Sequence, residues 1–241
     1  MSDIFQRLKH EAWEANLMLP KHGLVLPMWG SVSGKDEETQ LVAIRPNGVP
    51  YEQLLPEHMV VVNMDGDIID GELKPSSDID THLELYRRFP SVGGVAHTHS
   101  AYAVAFAQAG RGIQCYGATH ADCFYGEIPC TRSLRAGEIQ EGYELNIGRA
   151  IAELFERRGI DPSVMPAALA RKHGPFAWGE SPGAAATNAV YLEEVAFMAL
   201  HTEMLRMLGR PIFTPPWRAP RLMIDKHFFS FHSRGADYSQ Q

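Results

Sequence analysis

Two histidines one residue apart, His97-Thr98-His99, are the sharpest chemical feature of the chain. On a β-strand, residues i and i+2 project to one face. Two imidazoles placed that way reach a single metal ion at the about 2.0–2.1 Å that zinc–nitrogen bonds require. Gly93-Gly94, just upstream, removes side-chain bulk and lets another backbone come close. An isolated H-x-H is equally compatible with two packed histidines, so a third ligand decides the matter. His120, His173, His227 and His232 are the candidates. His173 closes the run Ala168-Leu169-Ala170-Arg171-Lys172 and precedes Gly174-Pro175, a strand end suited to face a cleft. A plain turn histidine has the same surroundings, and spacing alone does not separate the two.

Other metal chemistries fit less well. A binuclear H-x-H-x-D-H site needs Asp and His at positions 101 and 102, where this chain has Ala101-Tyr102. An amidohydrolase barrel needs most of a fold of typically about 250 residues after an early H-x-H, more than remains beyond His99. Cys115, Cys123 and Cys130 lack C-x-x-C pairing, which makes a structural cysteine zinc site a poor fit. Their odd number, with no disulfide framework, fits a reducing cytoplasm. The 241 residues carry a net charge of −7 and no Lys/Arg run, which argues against a nucleic-acid partner. No apolar stretch is long enough for a membrane span. The first residues, Met1-Ser2-Asp3-Ile4-Phe5-Gln6-Arg7, have no signal layout, so a cytoplasmic location is expected.

The elements that must position these histidines follow from periodicity. Ile4, Leu8, Ala12, Ala15 and Leu19 predict a helix over 3–19, ended by Pro20-Lys21-His22-Gly23. Short strands are expected at 24–29, 41–45 and 59–63, with Gly30, Gly34 and Pro46-Asn47-Gly48 as turns and Asp65-Gly66 as a hairpin. Ser77-x-x-Asp80 resembles a capping box for a helix whose face is Ile79, His82, Leu83, Tyr86 and Phe89. A buried strand over 93–99, helices at 101–109, 146–158, 184–208 and 221–231, and strands at 167–171 and 176–178 complete the pattern. Strands mixed with long helices indicate one α/β or α+β layered domain over residues 1–241.

Eight segments, in order along nearly the whole chain, resemble the L-ribulose-5-phosphate 4-epimerases of the class II aldolase/epimerase (adducin-like) superfamily. They are Leu19-Pro20-Lys21-His22, Lys74-Pro75-Ser76-Ser77-Asp78, His97-Thr98-His99-Ser100, Thr119-His120-Ala121-Asp122, Phe124-Tyr125-Gly126, Ile128-Pro129-Cys130-Thr131-Arg132, His173-Gly174-Pro175-Phe176-Ala177-Trp178-Gly179 and Leu192-Glu193-Glu194-Val195-Ala196. The resemblance implies a three-layer α/β/α fold around a mostly antiparallel sheet. It implies a homotetramer with sites at subunit interfaces, and zinc held by His97, His99 and His173 with Asp78 at or beside it. Manganese or cobalt would also suit imidazoles. Substrate phosphate would meet three loops, Gly30-Ser31, Asn47-Gly48 and Ser76-Ser77, and the acid/base pair would be Asp122 and Tyr238 from a neighbouring subunit. A serine pair at a helix N-terminus favours an anion, although N-capping is the commoner use.

The implied reaction inverts C4 of L-ribulose 5-phosphate, a small phosphorylated ketopentose, to give D-xylulose 5-phosphate. The C4 hydrogen has no carbonyl beside it, so retro-aldol cleavage of C3–C4 and re-addition replaces deprotonation. Where family members have Gly-Asn-Val-Ser and Lys-Pro-Ser-Gly, this chain has Gly30-Ser31-Val32-Ser33 and Arg45-Pro46-Asn47-Gly48. Ser230-Phe231-His232 stands where basic residues are usual. The alternatives are an aldolase acting on L-fuculose or L-rhamnulose 1-phosphate, whose base is Glu where this chain has Asp78, and a non-catalytic adducin-like module.

Overall fold

The spacing of Leu8, Ala12, Ala15 and Leu19 forms a helix, α1 (Ser2–Lys21), and buries all four side chains. The structure is a computed structural model and describes residues 2–26, 29–208 and 218–233. Strands β1 (Ser31–Lys35), β2 (Val42–Ile44), β3 (Val60–Val62) and β4 (Ile68–Asp70) come next, with two 3₁₀ turns between β2 and β3. Then follow α2 (Ile79–Arg88), β5 (Gly94–His97), α3 (Ala101–Ala109), α4 (Ala118–Cys123), α5 (Ala136–Gln140) and α6 (Tyr143–Arg158). The chain continues through β6 (Ala167–Ala170), β7 (Gly174–Gly179), α7 (Pro182–Leu208) and α8 (Arg221–Ser233).

The strands make one sheet of order β4-β3-β2-β1-β5-β7-β6, with every neighbouring pair antiparallel. α1, α3 and α7 contact β1, β5 and β7 from one side, and α2 and α6 pack together on the other. This is the expected three-layer mixed fold with an antiparallel sheet. Gly94 is required by the close approach anticipated for Gly93-Gly94: a Cβ there would lie 2.2 Å from the carbonyl oxygen of Ser181 at the entry to α7.

Three local expectations are corrected. Residues 24–26 and Trp29 form no strand; the strand is β1, which runs straight through Gly34, read above as a turn. Its alternation of Ser31, Ser33 and Lys35 against Val32 and Gly34 hides the usual apolar signal, because Ser31 and Ser33 face a buried polar network instead of an oily core. The capping box is not formed. The helix starts at Ile79 with Asp78 as its N-cap, without a side-chain capping bond, because the Asp78 carboxylate turns inward. Finally, β5 ends at His97, so His99 is brought beside it by the turn of the chain into α3 rather than by strand alternation.

Candidate metal centre

His97 ends the interior strand β5, where it lies opposite Ser31 of β1 on one side and Phe176 of β7 on the other. His99 follows in the connection to α3. Glu193 of α7 fixes that connection, its two carboxylate oxygens accepting from the Tyr102 and Ala103 backbone N–H groups at 2.8 Å. His173 sits in the tight β6–β7 turn, after Lys172 in a left-handed conformation (φ 66°). The three rings converge: His97 Nε2 is 3.1 Å from His99 Nε2 and 3.1 Å from His173 Nε2. All three possible ligand atoms lie within 4.8 Å of one another.

The arrangement fits a divalent ion. The Nδ1–H of His97 donates to the carbonyl of Pro175 at 2.9 Å, which leaves the Nε2 lone pair facing its two neighbours. The Nδ1 of His173 is bonded to the Tyr143 hydroxyl at 3.0 Å, fixing that ring in the same sense. Burial pushes the His97 imidazole down to about 3, helped by the charge of His173, and pushes His173 down to about 4, helped by His99. Burial also lowers His99. The rings are therefore neutral near pH 7, and converging lone pairs repel unless a cation lies between them. Two nitrogens bound tetrahedrally at about 2.0–2.1 Å stand about 3.3 Å apart, close to the observed spacing.

Asp78 sits beside this triad, not among its converging atoms. It is buried. Its Oδ2 accepts from the Ser31 hydroxyl at 2.6 Å and lies 3.4 Å from His82 Nε2, while its Oδ1 is buried without a hydrogen-bond partner. Burial opposes the charge, but His82, His97 and the Ser31 hydroxyl outweigh it and hold the carboxyl well below the usual range.

The three loops expected to meet phosphate do come together. Gly30, at φ 89°, turns the chain where a Cβ would strike Val25, and its carbonyl accepts from Tyr51 and from the Arg45 guanidinium at 2.9 Å each. The Arg45 carbonyl accepts from the Ser76 N–H, and the Asn47 N–H donates to Lys74, so the second and third loops are stitched together. Asn47, Gly48 and Ser77 are exposed and Ser76 half-buried. Ser31 differs: it is fully buried, and its hydroxyl is engaged by Asp78.

Residues 10–200 match the Class II Aldolase and Adducin N-terminal domain family. The chain belongs to this family. Solved structures of similar fold include an L-fuculose 1-phosphate aldolase (21% identity, 94% of this chain and 96% of that one, TM-score 0.75). Another is the L-fuculose 1-phosphate aldolase from Glaciozyma antarctica PI12 (18%, 96% and 83%, TM-score 0.71). A third is the L-fuculose-1-phosphate aldolase from Thermus thermophilus (24%, 85% and 100%, TM-score 0.66).

In this class II aldolase family member the other singled-out residues lie elsewhere. Asp122, on α4, is about one-third exposed and bonds His227 Nδ1 at 2.9 Å, with its backbone carbonyl accepting from His232 at 3.1 Å. Tyr238 lies outside the described residues. Of the four histidines considered as a third ligand, only His173 meets the pair; His120 is buried against the Gly126 carbonyl. Sequence reasoning assigned no site role to Tyr143, His82, Glu193, Trp29 or Glu144. Trp29 is half exposed and packs its ring 5.3 Å from that of His99. Burial raises the Glu144 carboxyl to about 7, with Asp78 and Asp80 adding to the shift. His82 and Tyr86 did carry a signal, polar aromatics on the inward face of α2. Among the described residues no helix is long and apolar enough to cross a membrane.

Proposed function

We propose that the protein is a zinc-dependent sugar-phosphate enzyme that interconverts L-ribulose 5-phosphate and D-xylulose 5-phosphate. The observation that carries this reading is the neutral, converging imidazole triad with a buried carboxylate beside it, one oxygen of which has no partner. His97, His99 and His173, with Asp78 at or beside them, would hold the zinc ion, which would supply Lewis-acid chemistry to the substrate; manganese or cobalt would serve similarly. A base takes the C4 hydroxyl proton, the C3–C4 bond breaks, and its electron pair passes into the C2–C3 enediolate. The aldehyde fragment, glycolaldehyde phosphate, rotates and adds back through its other face. Proton transfer on two faces requires two groups: Asp122 of the partner subunit and the partner's Tyr238, in a homotetramer. The loops at Gly30-Ser31, Asn47-Gly48 and Ser76-Ser77 hold the phosphate, Ser31 through its backbone because its hydroxyl is engaged elsewhere. The permanent charge of Arg45 lies under those loops.

The short Asp78 favours epimerisation over product-releasing cleavage. A second reading, a class II aldolase acting on a sugar 1-phosphate, draws on the fold shared with the fuculose-phosphate aldolases. Incubation of the zinc-loaded protein with L-ribulose 5-phosphate, with D-xylulose 5-phosphate read by a coupled assay, tests the first. Accumulation of free dihydroxyacetone phosphate from L-fuculose 1-phosphate, with no ketopentose turnover, would select the second. Chelated protein with undiminished turnover would overturn both.

A further inference from the structure

The partners of Asp78 form a directed chain. Its Oδ2 takes the Ser31 hydroxyl at 2.6 Å, and His82 Nε2 lies 3.4 Å from both that carboxylate oxygen and the Ser31 oxygen. His82 Nδ1 is 2.7 Å from the Ser33 hydroxyl, and Ser33 is 2.8 Å from the Tyr86 hydroxyl. Ser31, Ser33 and His82 are all completely buried. An ionised carboxylate only accepts, which sets the direction for a neutral imidazole. Tyr86 donates to Ser33, Ser33 to His82, and the His82 Nε2–H is shared by Asp78 and Ser31. Each donor points toward Asp78, and hydrogen bonds aligned in one direction polarise one another. Asp78 and His82 stand one helical turn apart on α2, so the backbone presents both to the same strand.

We propose that His82 is a positioning residue whose hydrogen-bonded chain, anchored on β1, occupies Asp78 Oδ2 and thereby reserves Oδ1 for the metal centre formed by His97, His99 and His173. The chain has no other evident use. It ends on the hydroxyl of the buried Tyr86, not at solvent, and it does not support the helix start, because Asp78 makes no side-chain capping bond. Oδ1 is one of only two orphaned buried side-chain polar atoms among the described residues. A group fixed on one side and left bare on the other has an acceptor kept for something not contributed by the chain. This inference rests on the metal-site reading of the triad. It does not depend on which sugar phosphate is turned over.

The test uses the full-length protein stripped of metal and titrated with cobalt(II), whose visible absorption reports ligand geometry. Chelator competition gives the zinc affinity, and kcat and KM for L-ribulose 5-phosphate are measured beside it. His82→Leu weakens zinc about 10- to 100-fold, the usual effect of losing a partner behind a metal site, and alters the cobalt band. His82→Gln, which keeps one donor and one acceptor, recovers most of that loss. Ser31→Ala and Tyr86→Phe, smaller changes that preserve packing, weaken zinc about 3- to 10-fold, lower kcat and leave KM unchanged. In an Asp78→Asn background, His82→Leu has no further effect. Wild-type zinc affinity and cobalt spectrum in folded His82→Leu would overturn the proposal. So would equal losses in His82→Leu and His82→Gln, or additive losses with Asp78→Asn. Failure of the wild-type chain to bind cobalt at all would instead overturn the metal-site reading. Inactivity toward ketopentose with all metal effects present would overturn only the substrate.

Discussion

The two faces of strands β1, β5 and β7 are built from opposite materials. Toward α7 the strands present Val32, Gly34, Gly94, Ala96, Ala177 and Gly179, met by Ala185, Ala186 and Ala189 of the helix. Toward α2 and α6 they present Ser31, Ser33, Val95, His97, Phe176 and Trp178, met by His82, Tyr86, Phe89 and Phe155. One face is small and nearly featureless, so that a long helix lies close and holds the strands rigid. The other is polar at the metal-site end and aromatic away from it. Because pleat alternation divides the same three strands between the two tasks, rigidity on one side supports precise ligand placement on the other.

Breaking the functional face has the largest expected effect. His97→Asn removes a ligand whose Nε2 is shared geometrically with both other histidines, so zinc affinity falls by about three orders of magnitude or more and turnover is lost, measured by chelator competition and assay. The opposite face breaks differently. Gly94→Val drives side-chain atoms into the Ser181 backbone and costs about 3 kcal/mol of stability, read from urea midpoints, while any folded fraction still binds zinc. A pH series sharpens the contrast. His97 and His173, near 3 and 4 when folded, bind fewer protons folded than unfolded below the unfolded value of about 6.5. Metal-free protein is therefore most stable above about pH 6.5 and loses about 1.4 kcal/mol per pH unit per imidazole as pH falls toward those folded values. Denaturant midpoints at pH 7 and pH 5 check this, and a His97→Gln/His173→Gln variant shows a flatter profile. The smallest effect is Tyr143→Phe, which frees His173 Nδ1 and weakens zinc about threefold, with stability nearly unchanged.

Much of this division was legible in the sequence, and the failures have physical causes. Helices α1, α3, α7 and α8 follow from apolar period and from the flanking Gly and Pro, and H-x-H marked two of the three converging histidines. The third histidine needed more than spacing, because a turn between β6 and β7 closes a separation no local pattern encodes. β1 was invisible: its inward residues are serines balanced by His82, Tyr86 and Asp78, and a strand that buries polar groups against polar groups has no hydrophobic alternation. Tyr143 and Glu193 were missed for a related reason. They act across 30 and about 90 residues of chain, on a ring nitrogen and on bare amides, and only the fold brings them there.

Arg45 carries one further consequence. Among the described residues no carboxylate pairs with it; its guanidinium is sealed under Gly30 and Val49 carbonyls and stacked on Tyr51. An arginine cannot shed its proton at any pH a protein survives. The loop junction above it therefore stands in a constant positive potential that no buffer can switch off.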